Sequence, residues 1–204
     1  MNPAHQISQN LLKKINGTSF LELGYKRPKV FAQVECPLKV GVDPGSVQPH
    51  DVKDTDSVKL IRMTSDEFFE QNDRMFDVIL VDGLHLAEQF KKDIYNSLAA
   101  LNENGYIVCP HVNPPDEEYQ VVPFTRQHAW AGDIWKTWVK LRSTESKLQM
   151  MCVDVKCCGC GVISRGEQKL LDLQGAELVY KNLDKNRKEW LNLIDYKDYP
   201  QYLY

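Results

Sequence analysis

Phe76-Asp77-Val78-Ile79-Leu80-Val81-Asp82-Gly83 is the stretch whose reading decides the fold. Four consecutive aliphatic residues, Val78 to Val81, leave no polar face, so a strand here needs burial on both sides, the condition met inside a parallel sheet covered by helices. Working outward, Leu86, Phe90, Ile94, Leu98 and Leu101 recur at three- and four-residue steps with Lys91, Lys92 and Asp93 between them, which predicts an amphipathic helix packed on that sheet. Asn104-Gly105 is read as its end, and Tyr106-Ile107-Val108-Cys109 as a fifth strand stopping at Pro110. Before the quoted stretch, Val58 to Met63 reads as a third strand, after which Thr64 or Ser65 caps a short helix holding Asp66-Glu67-Phe68-Phe69. Lys39 to Gly45 is a second strand ending in an acid and a turn pair, and Ser19 to Gly24 a first one ending in glycine. A helical leader, Ile7 to Ile15, precedes them within residues 1–17.

Beyond Pro110, residues 113–131 form a proline-bearing connection too long for a simple turn, expected to be a lid or substrate loop. Asp133 is expected to cap a helix with Ile134, Trp138 and Leu141 on one face; Leu148–Val155 and Gly161–Ser164 read as strands. Leu178 to Asp195 carries a helical pattern with Leu183, Trp190, Leu191 and Ile194 facing inward, within a C-terminal helix and tail over 178–204. Strands alternating with helices predict an α/β chain: a doubly wound, Rossmann-like, mostly parallel sheet with helices on both faces, in a single domain over 1–204.

A chain of 204 residues with 43% hydrophobic and 26% charged residues suits one globular domain. A formal charge of −3 gives no electrostatic reason to seek nucleic acid or anionic lipid. The N-terminus lacks a signal-peptide pattern and no stretch approaches a membrane span, so a cytoplasmic protein is expected. Six cysteines without a secretion signal point to reduced thiols. Cys157-Cys158-Gly159-Cys160 resembles half a zinc site, but two of these residues are adjacent and no second pair follows at ligand spacing.

In an open parallel sheet, ligands bind outside the carboxyl ends of the strands where strand order reverses. Gly24, Asp43, Asp66, Asp82, His85, His111 and Asn113 all fall at or just after predicted strand ends. Glu22-Leu23-Gly24 followed by Asp43 has the spacing of a nucleoside site, in which an acid ending the second strand accepts from ribose hydroxyls. The other reading of Asp43 is a turn-forming acid before Pro44-Gly45. A full Gly-x-Gly-x-x-Gly fingerprint is missing after the first strand, which disfavours a nucleotide-dependent oxidoreductase.

From about Phe20 to Ile194 the chain resembles the class I S-adenosylmethionine-dependent methyltransferases, in particular small bacterial and viral members related to sugar and antibiotic O-methyltransferases. The carriers are Phe20-Leu21-Glu22-Leu23-Gly24, Gly41-Val42-Asp43-Pro44, Thr64-Ser65-Asp66-Glu67-Phe68-Phe69, Asp82-Gly83-Leu84-His85, Asn113-Pro114-Pro115, Gly132-Asp133-Ile134-Trp135-Lys136, Asn186-Arg187-Lys188 and Leu191-Asn192-Leu193-Ile194. The resemblance implies S-adenosylmethionine lying across Gly24, with its ribose at Asp43 and adenine near Asp66, and with Glu22 and Asp82 completing the cofactor site. It implies O-methylation of a small molecule or sugar, with His111, Asp82 and His85 as catalytic residues. Where relatives continue the first loop with a second glycine, this chain has Tyr25-Lys26-Arg27-Pro28. Lys26 and Arg27 are placed to meet the cofactor's carboxylate or water. Where relatives carry His-Asp before Asn-Pro-Pro, this chain has Pro110-His111, so a divalent metal held by Asp82 and His111 would favour a transition metal over magnesium. Without metal, a neutral His111 is expected as general base. Trp130, Trp135 and Trp138 are weighed between an acceptor pocket and core. The competing reading is a catalytically silent relative that binds a ligand or partner; homodimerisation is left open.

Overall fold

The computed structural model describes residues 1–26, 28–45, 55–124 and 130–203. Arg27 and part of the 113–131 connection, residues 125–129, lie outside the described residues. The strands are β1 (Ser19–Leu23), β2 (Leu38–Val42), β3 (Val58–Ile61), β4 (Phe76–Val81), β5 (Leu101–Pro110), β6 (Leu148–Asp154), β7 (Cys160–Arg165) and β8 (Leu193–Asp195). The helices are α1 (Pro3–Ile15), α2 (Pro28–Phe31), α3 (Ser65–Gln71), α4 (Ala87–Ala99), α5 (Ile134–Thr144) and α6 (Tyr180–Leu191). The strands join one sheet in the order β3-β2-β1-β4-β5-β7-β6-β8. Pairing is parallel for β1 with β2 and β4, β2 with β3, β4 with β5, and β6 with β8, and antiparallel for β6 with β7. The expected mostly parallel α/β fold is therefore observed. The chain divides into two compact units, residues 1–84 with 92–108, and residues 85–91 with 109–204.

In the first unit the chain runs outward from β1 through β2 to β3, then returns to β4 on the other side of β1, so strand order reverses between β1 and β4. The quoted stretch behaves as its apolar run dictates: Val78, Ile79 and Leu80 have no exposed surface, and all five residues of β1 are buried. Helix α1 starts at Pro3 rather than Ile7, because Asn2 accepts the His5 N–H as an N-cap and proline is tolerated in the first turn. Its Ile7, Leu11 and Leu12 carry the apolar face into the core. Thr64 and Glu67 form a reciprocal capping box on α3, as the sequence suggested.

Asp77 fastens the start of β1 to β4. One carboxylate oxygen accepts the Thr18 N–H at 2.7 Å, the Ser19 N–H at 3.0 Å and the Ser19 hydroxyl at 2.9 Å, and the other accepts Asn102 at 2.7 Å. Burial works to raise its pKa, but these donors outweigh it and hold the carboxyl below its ordinary value. Two expectations are corrected here. Asn104-Gly105 does not separate α4 from a strand; both lie within β5, whose register jumps from Phe76 opposite Leu101 to Val78 opposite Tyr106. Glycine at 105 fits because a Cβ there would lie 2.8 Å from the Asp77 carbonyl oxygen. Asp93, read as part of a polar face, is 1% exposed.

In the second unit Trp135 and Trp138 are fully buried, so they are core, with their indole N–H groups donated to Gln120 and to the Leu191 carbonyl. Asp133 precedes α5 without capping it; its carboxylate accepts the Ala87 N–H at 2.8 Å and so caps α4. The helical pattern read through Asp195 ends at Leu191. Asn192, at φ 48°, turns the chain into β8, where Ile194 pairs with Val153. The 113–131 connection includes a 3-10 turn at Glu117–Gln120, and the Tyr119 carbonyl accepts the N–H groups of Ala131 and Gly132. Among the described residues no helix is long and apolar enough to cross a membrane.

Candidate functional site

Leu23, Val42 and Val81 are paired across β2-β1-β4, so Gly24, Asp43 and Asp82 are the next residues at three neighbouring carboxyl ends. This is the edge at which strand order reverses, where an open α/β sheet leaves a crevice. The ends are laced together: Gly24 N–H donates to the Val42 carbonyl at 2.7 Å, Asp82 N–H to Leu23 at 2.9 Å, and Asp43 N–H to Ile61 at 3.1 Å. Gly24 has φ 84°, and a Cβ on it would lie 2.2 Å from the Asp82 carbonyl oxygen. Only glycine combines that backbone with that approach. Tyr25 is 2% exposed, and its ring lies so close over Gly41 that a Cβ there would sit 2.8 Å away. Tyr25 is therefore a core aromatic, and Pro28 opens α2 three positions later.

Glu22 is 3% exposed and bonded to His5 Nε2 at 2.9 Å, while His5 Nδ1 contacts Asn2 at 2.7 Å. Burial raises the Glu22 pKa, and the hydrogen bond and charge of His5 oppose that rise. Seventeen residues separate the two, and no sequence spacing announces the pair. Both readings of Asp43 bear on the structure: one carboxylate oxygen accepts the Gly45 N–H at 2.9 Å as a turn former does, and a carboxylate has a second oxygen for a ligand. Asp66 lies in the first turn of α3 and pairs with Lys92 at 3.1 Å.

Asp82 belongs to the first unit and His85 and His111 to the second. Within the second unit the two imidazoles meet with centroids 4.6 Å apart and planes tilted by 40°, and His85 in turn meets Trp130 at 5.7 Å with a tilt of 33°, while Trp130 meets Phe124 at 5.3 Å. His85 Nδ1 lies 3.0 Å from the Trp130 carbonyl. His111 follows β5 at φ 71°, an uncommon conformation for a residue with a side chain, and its N–H donates to Gly159 at 3.1 Å. Asn113 is 8% exposed and donates its N–H to Cys158 at 2.7 Å. Arg187 on α6 donates to the Asn113 side chain, to the Pro114 carbonyl at 2.7 Å and to the Tyr180 hydroxyl at 3.0 Å. Tyr180 donates to Pro115 at 2.8 Å. The Asn113-Pro114-Pro115 and Asn186-Arg187-Lys188 markers thus meet in space, a link that sequence reading missed although it quoted both.

Residues 39–110 match a family model described as a methyltransferase domain. The fold is that of the class I methyltransferases. Similar solved structures include an O-methyltransferase of Streptomyces achromogenes involved in tomaymycin synthesis, in complex with SAM, at 12% identity and TM-score 0.57, covering 81% of each chain. A methyltransferase of Podospora anserina with SAH bound is 16% identical at TM-score 0.56, covering 80% of this chain and 78% of that one. An O-methyltransferase of Bacillus cereus in complex with SAH is 13% identical at TM-score 0.52, covering 80% of each. No curated protein matches this chain in sequence.

Proposed function

We propose that this protein transfers the methyl group of S-adenosylmethionine to an oxygen of a small molecule, with a sugar among the acceptors the sequence suggests. The observation that carries the reading is the Gly24 turn at the reversal of strand order, where the positive φ and the close Asp82 carbonyl both require glycine and Asp43 ends the neighbouring strand. These residues fit a nucleoside. A carboxylate at the end of β2 accepts from ribose hydroxyls. Glu22 behind that turn and Asp66 at the α3 terminus complete the proposed cofactor set, with Asp82 bordering Gly24.

Bound S-adenosylmethionine would supply an electrophilic methyl on a sulfonium leaving group. The protein's share is then orientation and removal of the acceptor's proton. His111 is the proposed base, His85 its ring neighbour and Asp82 the third proposed catalytic residue. The Nδ1–H of His85 donates to the Trp130 carbonyl, which fixes the ring against which His111 lies. In the metal-dependent form of the proposal, Asp82 and His111 are cation ligands instead. Metal analysis and chelator sensitivity separate the two.

Titration calorimetry tests the cofactor site. Asp43→Ala should weaken S-adenosylmethionine binding by about 1.5–3 kcal/mol, the loss of a charge-assisted hydrogen bond. Asp43→Asn keeps an acceptor for the Gly45 turn and should fall between the two. Unchanged affinity in folded Asp43→Ala would remove this residue from the site, and a parent that binds no S-adenosylmethionine would turn the reading to a silent scaffold.

A further inference from the structure

Cys157 and Cys158 sit in the turn between β6 and β7, with their sulfurs 3.6 Å apart. Cys157 is exposed and Cys158 is 3% exposed. Their φ values are 63° and 82°, and Gly159 follows at 64°, so three successive residues hold the left-handed region. The proposed methyl transfer uses neither thiol.

We propose that Cys157 and Cys158 form a reversible redox site that reacts with peroxides, and that its state is transmitted to His111. The Cys157 sulfur attacks one peroxide oxygen: an S–O bond forms, the O–O bond breaks, and the departing oxygen leaves as water with the thiol proton. The Cys158 sulfur then attacks the Cys157 sulfur: an S–S bond forms, the S–O bond breaks, and hydroxide leaves as a second water with the Cys158 proton. Two thiols and one hydrogen peroxide give one disulfide and two waters. A dithiol reductant reverses the change. Adjacent Cα atoms stand about 3.8 Å apart across a trans peptide, short of the roughly 4.4–6.8 Å usual for disulfides, so the bond is strained and easily reduced. That places it with labile, regulatory disulfides rather than structural ones.

The link to His111 is backbone. The Cys158 carbonyl accepts the Asn113 N–H at 2.7 Å and the Gly159 carbonyl accepts the His111 N–H at 3.1 Å. Closing the eight-membered ring must rotate the peptide between the two cysteines. The neighbouring Gly159 has no slack, since a Cβ on it would lie 2.6 Å from Asn113 Cβ and 2.9 Å from Cys152 Sγ. Rotation there is therefore expected to reach residues 111–113 through these two hydrogen bonds. The effect on turnover rests on the role proposed for His111; the thiol chemistry does not.

The full chain, treated with a small excess of hydrogen peroxide and then alkylated, should yield a peptide in which Cys157 and Cys158 are protected together at a loss of about 2 Da, Cys160 remaining alkylated, and dithiothreitol should reverse it. The imidazole NMR signal of His111, assigned by His111→Gln, should shift in step. Cys157→Ser should show neither change and keep the parent melting temperature. If methyl transfer is established, turnover should fall toward the roughly 10²-fold expected of an ångström-scale displacement and recover on reduction. Sulfinic acid at Cys157 with Cys158 still reduced, or a disulfide joining two chains, would overturn the site. A disulfide that leaves the His111 signal in place would overturn the coupling. Since mass and NMR need no methyl transfer, failure here is distinct from failure of the proposed function.

Discussion

His111 concentrates the chemistry at the residue scale. It stands at positive φ at the end of β5, its ring tilted against that of His85, and is anchored through its N–H. If it is the base, His111→Ala should lower the rate constant by roughly 10²–10⁴ while S-adenosylmethionine binding stays nearly unchanged. The acidic limb of the pH–rate profile should vanish with it, because the imidazole assigned to take the acceptor's proton is gone. Turnover that survives both the substitution and chelator would remove His111 from the reaction. Residues differ in how openly they announced themselves. Gly24 was legible because a glycine ending an apolar strand is a backbone signal, and the φ of 84° bears it out. Tyr25 was not: its burial over Gly41 depends on where β2 lies beside β1, which local sequence does not contain.

Elements were legible where a period repeats over several residues and were misread where one polar side chain had two partners to choose from. Asp133 stood one residue before a helix and was read as its cap, but the carboxylate serves α4, forty-six residues earlier in the chain. Asp133→Ala should therefore cost about 1 kcal/mol, typical of a lost N-cap, and amide exchange should rise at the start of α4 rather than of α5. Faster exchange confined to α5 would restore the local reading. The same ambiguity applies to α6 and β8. Ile194 continues the apolar pattern of the helix, yet Asn192 breaks it by adopting a left-handed conformation and bonding the Met150 carbonyl at 2.8 Å, and Ile194 pairs with β6 instead.

At the scale of the whole molecule, stability should carry the signature of Asp77. Its folded pKa lies below the unfolded value of about 4, so ionised Asp77 stabilises the fold above that pH, and the contribution is lost as pH falls through the lowered folded value. Asp77→Asn should lose about 1–2 kcal/mol at neutral pH, a figure reduced for the carboxylate's partial exposure to solvent, and the gap to the parent in thermal melts should close below about pH 4. A gap that does not change with pH would assign the loss to packing. What the sequence determined by itself was the alternation of buried strands and helices, the glycine at the end of β1 and the acids and imidazoles at strand ends, because periodicity and turn chemistry are written in neighbouring residues. Only the tertiary structure decided that His5 meets Glu22, that Arg187 holds Asn113 and Pro114, and that Gly159 braces His111. Each of these joins residues 17 to 74 positions apart or on separate strands, and such a bond is set by how the elements pack, which no window of local sequence encodes.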